Sequence, residues 1–204
     1  MPSRKLLMTI LDITYYIIII INFVISIIFK RLWKQLYYVY FSVIIISEIL
    51  VLIFPDAQKI YNLLDIFSIL FFWFIFQEKL KNKTWIAIIS SITIILSTFL
   101  LLKSKTLYSI YTGIISCLYV ISISLNWFYE KIIENKNNSI LKDQLFWISS
   151  SLLFWSIFYL FRMTPMYWIQ TEDGDFLIVL KYIFQVATIL SYILFLKGLL
   201  SKQS

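Results

Sequence analysis

Residues 60–76 read IYNLLDIFSILFFWFIF, and this stretch decides the fold class. It is about as long as the shortest helix that crosses a bilayer's hydrocarbon, roughly 17 residues at about 1.5 Å each. Asp65 is its only charged residue. Working outward, comparable apolar runs occupy 6–29, 36–54, 85–102, 107–129, 145–161 and 176–196. With 61% hydrophobic and 14% charged residues in 204, nothing is left over for a globular domain. The expected fold is all-α: a polytopic integral membrane protein, 1–204 forming one seven-transmembrane-helix bundle. Runs 60–76 and 145–161 are the shortest, so the alternative count is six helices and one re-entrant segment.

The first run follows Arg4 and Lys5 as a secretory signal would, but it is too long, carries Asp12 and has no small-residue cleavage site before Lys30. It reads as a retained helix. Seven spans put the termini on opposite sides, and basic residues then choose the orientation. One side collects eleven: Lys30, Arg31, Lys34, Lys79, Lys81, Lys83, Lys131, Lys136, Lys142, Lys197 and Lys202. The other holds six, namely Arg4, Lys5, Lys59, Lys103, Lys105 and Arg162, together with Asp56, Glu172, Asp173 and Asp175. The expected topology is N-terminus outside and C-terminus cytoplasmic, in the inner (cytoplasmic) membrane. The net charge of +7 is then a topology signal that also meets anionic headgroups, and no nucleic-acid partner is expected.

The chain has no histidine, which excludes zinc-protease helices, Ser/His dyads and haem imidazole ligation. Cys117 stands alone and reads as a packing residue. Only Gly113 falls inside a predicted span, and Pro2, Pro55 and Pro165 fall outside all of them. Transporters usually bind substrate where Gly or Pro interrupts a helix, and no such interruption is visible. The longest connections are 130–144, rich in Lys, Glu and Asn, and 162–175; neither can hold a domain.

Ionisable groups inside a bilayer are costly and usually mark an interior site. Asp12, Glu48, Asp65 and Lys181 lie five or six residues from the outer ends of their runs, at one depth of roughly 8 to 9 Å. They are expected to converge on an outward-facing ligand or ion-pair pocket, with Lys181 paired to one carboxylate. Helical spacing adds Tyr61 and Ser68 beside Asp65, Gln185, Thr188 and Tyr192 after Lys181, and Tyr15, Asn22 and Ser26 after Asp12. A lysine in the last run suggests a retinal Schiff base, but position 177 is Leu where microbial rhodopsins carry aspartate. Neither a cofactor nor a metal is expected. Serines such as Ser149, Ser150 and Ser151 read as interhelical glue, and Trp33, Tyr37, Trp85, Tyr129, Tyr167 and Trp168 as interfacial anchors.

The stretches 36–49 (LYYVYFSVIIISEI), 60–76 and 146–161 (FWISSSLLFWSIFYLF) resemble helices two, three and six of an uncharacterised family of seven-helix membrane proteins from Bacteroidota. The matching positions are Glu48, Tyr61, Asp65, Phe146 and Trp147. The resemblance implies a membrane location and a sensory or regulatory role. The expected function is therefore a non-enzymatic membrane sensor or regulatory subunit that acts through a protein partner or as a homo-oligomer. The alternatives are a membrane accessory of a CRISPR-type antiviral defence system and a proton-coupled solute carrier.

Overall fold

The computed structural model describes residues 2–54, 59–104, 109–134, 140–168 and 173–201, with the side chains of 2–9 and 167–168 excepted. The described residues form seven α-helices: α1 (Pro2–Ile28), α2 (Tyr37–Ile53), α3 (Lys59–Lys79), α4 (Lys83–Lys103), α5 (Ile110–Glu134), α6 (Gln144–Met163) and α7 (Gly174–Leu200). Short 3-10 turns lie at Lys30–Gln35 and Ile140–Lys142, and a π turn follows α6 at Thr164–Trp168. Six of the helices, all but α2, are long and apolar enough to cross a membrane, the architecture of a multi-pass membrane protein.

The short helix is not one that the run lengths single out. α3 and α6 reach 21 and 20 residues because polar ends, such as Gln77 to Lys79, continue the helix beyond the apolar run. α2 has only 17 residues. Leu36 precedes it in the left-handed region (φ 55°), so the helix cannot start earlier. Phe54 leaves the helical region (φ −123°, ψ 85°) immediately before Pro55, whose ring disfavours a helical predecessor. The same extension into polar sequence shortens both long connections: 130–134 belongs to α5, and 162–163 to α6. Side-chain caps fix other starts. Asn82, Asp143 and Asp173 accept the backbone N–H of Trp85, Leu145 and Phe176 at 3.1, 2.9 and 3.0 Å.

The helices group into two compact units, 1–30 with 139–204 and 31–138. In the first, α7 packs against both α1 and α6. α1 and α7 run parallel, since Asp12 meets Gln185 and, further along both helices, Asn22 meets Tyr192. α6 runs antiparallel to α7, as the Ser151–Ser191 and Trp147–Lys197 contacts show. In the second unit α3, α4 and α5 pack mutually and α2 docks on α3. Asn62 meets Ser109 and Lys81 meets Glu130, so α3 and α5 are parallel.

Polarity is inverted relative to a water-soluble bundle. On α4 the buried positions are Ile86, Ser90, Thr93 and Ser97, whereas Ile88, Ile92, Ile95, Phe99 and Leu102 face outward. Hydrocarbon solvates the aliphatic side chains, and small hydroxylic residues let helices approach and hydrogen-bond. Two residues depart from the sequence reading. Tyr37 is fully buried against Phe71 at 5.7 Å rather than anchoring an interface, because α2 turns its first residue toward α3. Gly198 lies inside α7, which continues past the predicted span to Leu200.

Candidate functional site

The six residues of the expected site fall in different units. Asp12, Lys181 and Gln185 lie in the α1–α6–α7 unit; Glu48, Tyr61 and Asp65 lie in the α2–α5 unit.

On the α1–α7 seam the Gln185 amide donates to Asp12 Oδ1. The polar stripe continues through Tyr15, whose ring lies 6.0 Å from that of Tyr192, to the fully buried Asn22. Asn22 Nδ2 donates both to Ile18 O at 2.8 Å and across the seam to Tyr192 O at 3.2 Å. Parallel helices meeting at i, i+3 and i+7 positions keep such a stripe in contact over several turns. Lys181 stands one turn before Gln185 with an exposed side chain and, among the described residues of its unit, makes no ion pair. Of the three carboxylates expected as partners of Lys181, Asp12 is the one in its unit, and it meets Gln185 instead. A neutral amide satisfies the carboxylate at that level, and the lysine sits a turn away.

On the α2–α3 seam the Tyr61 hydroxyl donates to Glu48 Oε2 at 3.3 Å. One to two turns along α3, the Tyr40 hydroxyl is hydrogen-bonded with Ser68 and lies in the field of Asp65. Tyr40 also stacks on Phe71 (4.7 Å, 20° between planes) and meets Phe72 edge-on at 5.2 Å. The rings hold α2 at a fixed rotation on α3, so Glu48 is directed to Tyr61 while Tyr40 reaches the Asp65–Ser68 turn. Such aromatic pairs contribute about 0.5–1.5 kcal/mol each beyond area burial.

Several polar contacts were not singled out from sequence. Ser90 and Tyr119 join α4 to α5 at 2.8 Å. Asn62 Oδ1 accepts the Ser109 N–H at 3.1 Å where α5 begins. At the opposite end of the same unit, Lys81 Nζ and Lys131 Nζ lie 3.1 and 3.4 Å from Glu134, and Glu130 accepts the Lys81 N–H at 2.9 Å. The Lys81 contact, then Lys131, holds the Glu134 carboxyl below its ordinary value. A run of mixed charge reads from sequence as a solvated connector. Here α5 carries its first charges up to the turn between α3 and α4.

Among the described residues no group of three His, Cys, Asp or Glu side chains could hold a metal, and Cys117 is buried and in no disulfide. No protein-family model, curated protein or solved structure matches this chain.

Proposed function

We propose that the chain is a non-catalytic sensor or regulatory subunit of the cytoplasmic membrane, crossing it seven times with the C-terminus inside. One observation carries the reading: Asp12 and Glu48, two carboxylates within apolar helices, each accept from a neutral side chain across a seam between two helices. A proton or cationic ligand arriving at such a carboxylate changes the hydrogen bond that joins the helices. A two-state seam biased in this way is what a sensor requires. The response would pass to a partner protein or to a second copy.

Helix direction supports seven crossings over six. α1 and α7 run parallel and α6 opposes both, so α1 ends and α6 begins on one side of the membrane. The intervening segment must then cross an even number of times. Crossings by α2, α3, α4 and α5 satisfy this, whereas three crossings and a re-entrant α2 do not. The basic-residue asymmetry supports the orientation.

The test uses the full chain in lipid nanodiscs and in proteoliposomes. Amide exchange of α2, α3, α1 and α7 is followed while the medium is made mildly acidic. A sensor gives a cooperative change that Asp12→Asn and Glu48→Gln abolish, and vesicles that leak no protons. Proton flux above that of protein-free vesicles would move the assignment to a carrier, and unchanged exchange would remove the sensing role.

A further inference from the structure

Three polar side chains converge inside the α3–α4–α5 packing without a protein partner for their remaining valences. Asn62 is fully buried, its Oδ1 is bound to the Ser109 N–H, and its Nδ2 has no hydrogen-bond partner. Thr112 Oγ1, in the first turn of α5, and Ser97 Oγ, on α4, are likewise fully buried and unpartnered. The antiparallel register of α4 and α5 brings them together. From the Ser90–Tyr119 contact at 2.8 Å, seven residues forward on α4 and seven back on α5 make Ser97 level with Thr112. A tyrosine leans toward its own helix N-terminus, which moves this match toward Ser109 by at most about a turn. Asn62 already touches Ser109. The three groups therefore lie within about one helical turn, roughly 5.4 Å, along the axis.

A dry seam offers the hydroxyls an easy alternative. Thr93, one turn away on α4, donates to Ile89 O at 2.7 Å, the usual back-bond of a buried threonine. Ser97 does not take it, and Thr112, in the first turn of α5, has no helical carbonyl four residues back to take. Their chemistry selects the occupant. The free amide N–H of Asn62 is a donor, which suits no cation. Asp65, three residues further along α3, disfavours an anion. Water both donates and accepts, and buried water typically makes about three hydrogen bonds to groups of this kind. The side chains at this level are small, with Gly113 next to Thr112 and Ser109 one turn before it. We propose that Asn62, Ser97 and Thr112 hold an internal water site of one or two molecules in the α3–α4–α5 core. This assignment stands independently of the sensing role.

Thermal unfolding of the full chain in nanodiscs distinguishes the hydrated site from a dry seam by sign. If water is held, Thr112→Val strands the other two groups and lowers the midpoint by about 2–4 °C. Thr112→Ser, which keeps the hydroxyl, leaves it near the parent value. Ser97→Ala should behave as Thr112→Val does, and the two together should lower the midpoint by less than the sum. If the seam is dry, each apolar replacement removes an unsatisfied polar group, and the midpoint holds or rises; that result overturns the proposal. Should Thr112→Val fail to fold, a high-resolution map of the parent protein decides. A solvent peak within hydrogen-bond distance of Asn62 Nδ2 and one hydroxyl supports the site, and direct contact of these atoms with no peak overturns it.

Discussion

Ser151 and Ser191 bind α6 to α7 in both directions. Ser151 Oγ donates to Ser191 O at 2.7 Å, Ser191 Oγ donates to Ser151 O at 3.0 Å, and the two hydroxyls are 2.9 Å apart. Interhelical hydrogen bonds in membranes average about 0.6 kcal/mol, with a maximum near 1.7. Ser151→Ala and Ser191→Ala should each lower stability within that range. The acceptors are backbone carbonyls that alanine keeps, so the double variant should fall short of the sum only by what the contact between the hydroxyls contributes. Unfolding of the four proteins in mixed micelles measures the coupling, and strict additivity would mean that the bonds contribute nothing jointly.

Gly198 sets how closely the same two helices approach. A Cβ placed there would lie 2.8 Å from Ile148 Cγ1, 3.2 Å from Gln144 O and 3.3 Å from Trp147 Cβ. The Ile148 side chain can move, but the Gln144 carbonyl belongs to the α6 backbone and cannot. Gly198→Ala should therefore destabilise by about 1–3 kcal/mol, the usual range for overpacking. It should also disturb the neighbouring stack of Lys197 Nζ over the Trp147 ring, 3.6 Å from its centroid, visible as a shift in tryptophan emission. A Gly198→Ala protein as stable as the parent would show that the helices can separate freely.

The acid dependence of the α5 end follows from Glu134. Its carboxyl is held low by Lys81 and Lys131, so its contribution to stability is present above the ordinary carboxylate value. That contribution disappears as pH falls through the ordinary value of about 4.5 and on to the lowered one. Its Lys81 partner is 69% exposed and the Glu134 side chain 20%, so the effect should be small and weaken with salt. Glu134→Gln should flatten the pH dependence of unfolding in this window, and Lys81→Met should return the carboxyl toward its ordinary value in a carbon-13 titration. An unmoved titration would mean that the contact at 3.1 Å does not persist in solution.

Much of this architecture can be read from the apolar runs, because a segment such as 60–76 has few stable conformations in a bilayer besides a helix. Where helices stop is less legible. Polar residues like Gln77 and Glu78 cost nothing at the aqueous boundary and prolong α3, whereas Leu36 and Pro55 confine α2 for backbone reasons that hydropathy ignores. Depth brought Asp12, Glu48, Asp65 and Lys181 to notice, but depth does not say which helix pairs with which. Asp12 meets Gln185 because α1 packs on α7, and Glu48 meets Tyr61 because α2 packs on α3. Tyr37 near a run end looked like an anchor. Its burial depends on the rotation of α2, which a short helix without a clear apolar stripe does not reveal.

The Asp12–Gln185 bond separates two roles that sequence assigned together. Gln185 donates to the carboxylate, whereas Lys181, one turn earlier on α7, is exposed and makes no ion pair among the described residues of its unit. Asp12 is exposed, so its bond to Gln185 belongs with ordinary hydrogen bonds at about 0.5–1.5 kcal/mol rather than with buried charged ones. Gln185→Leu should thus destabilise by about 1 kcal/mol, while Lys181→Met should stay within about 0.5 kcal/mol of the parent, as exposed substitutions do. Combining Gln185→Leu with Asp12→Leu should add little further loss, since the first substitution has already removed the shared bond. Unfolding of the three variants in nanodiscs decides between them. Loss in Lys181→Met comparable to that in Gln185→Leu would return the carboxylate to the lysine and make the amide a bystander.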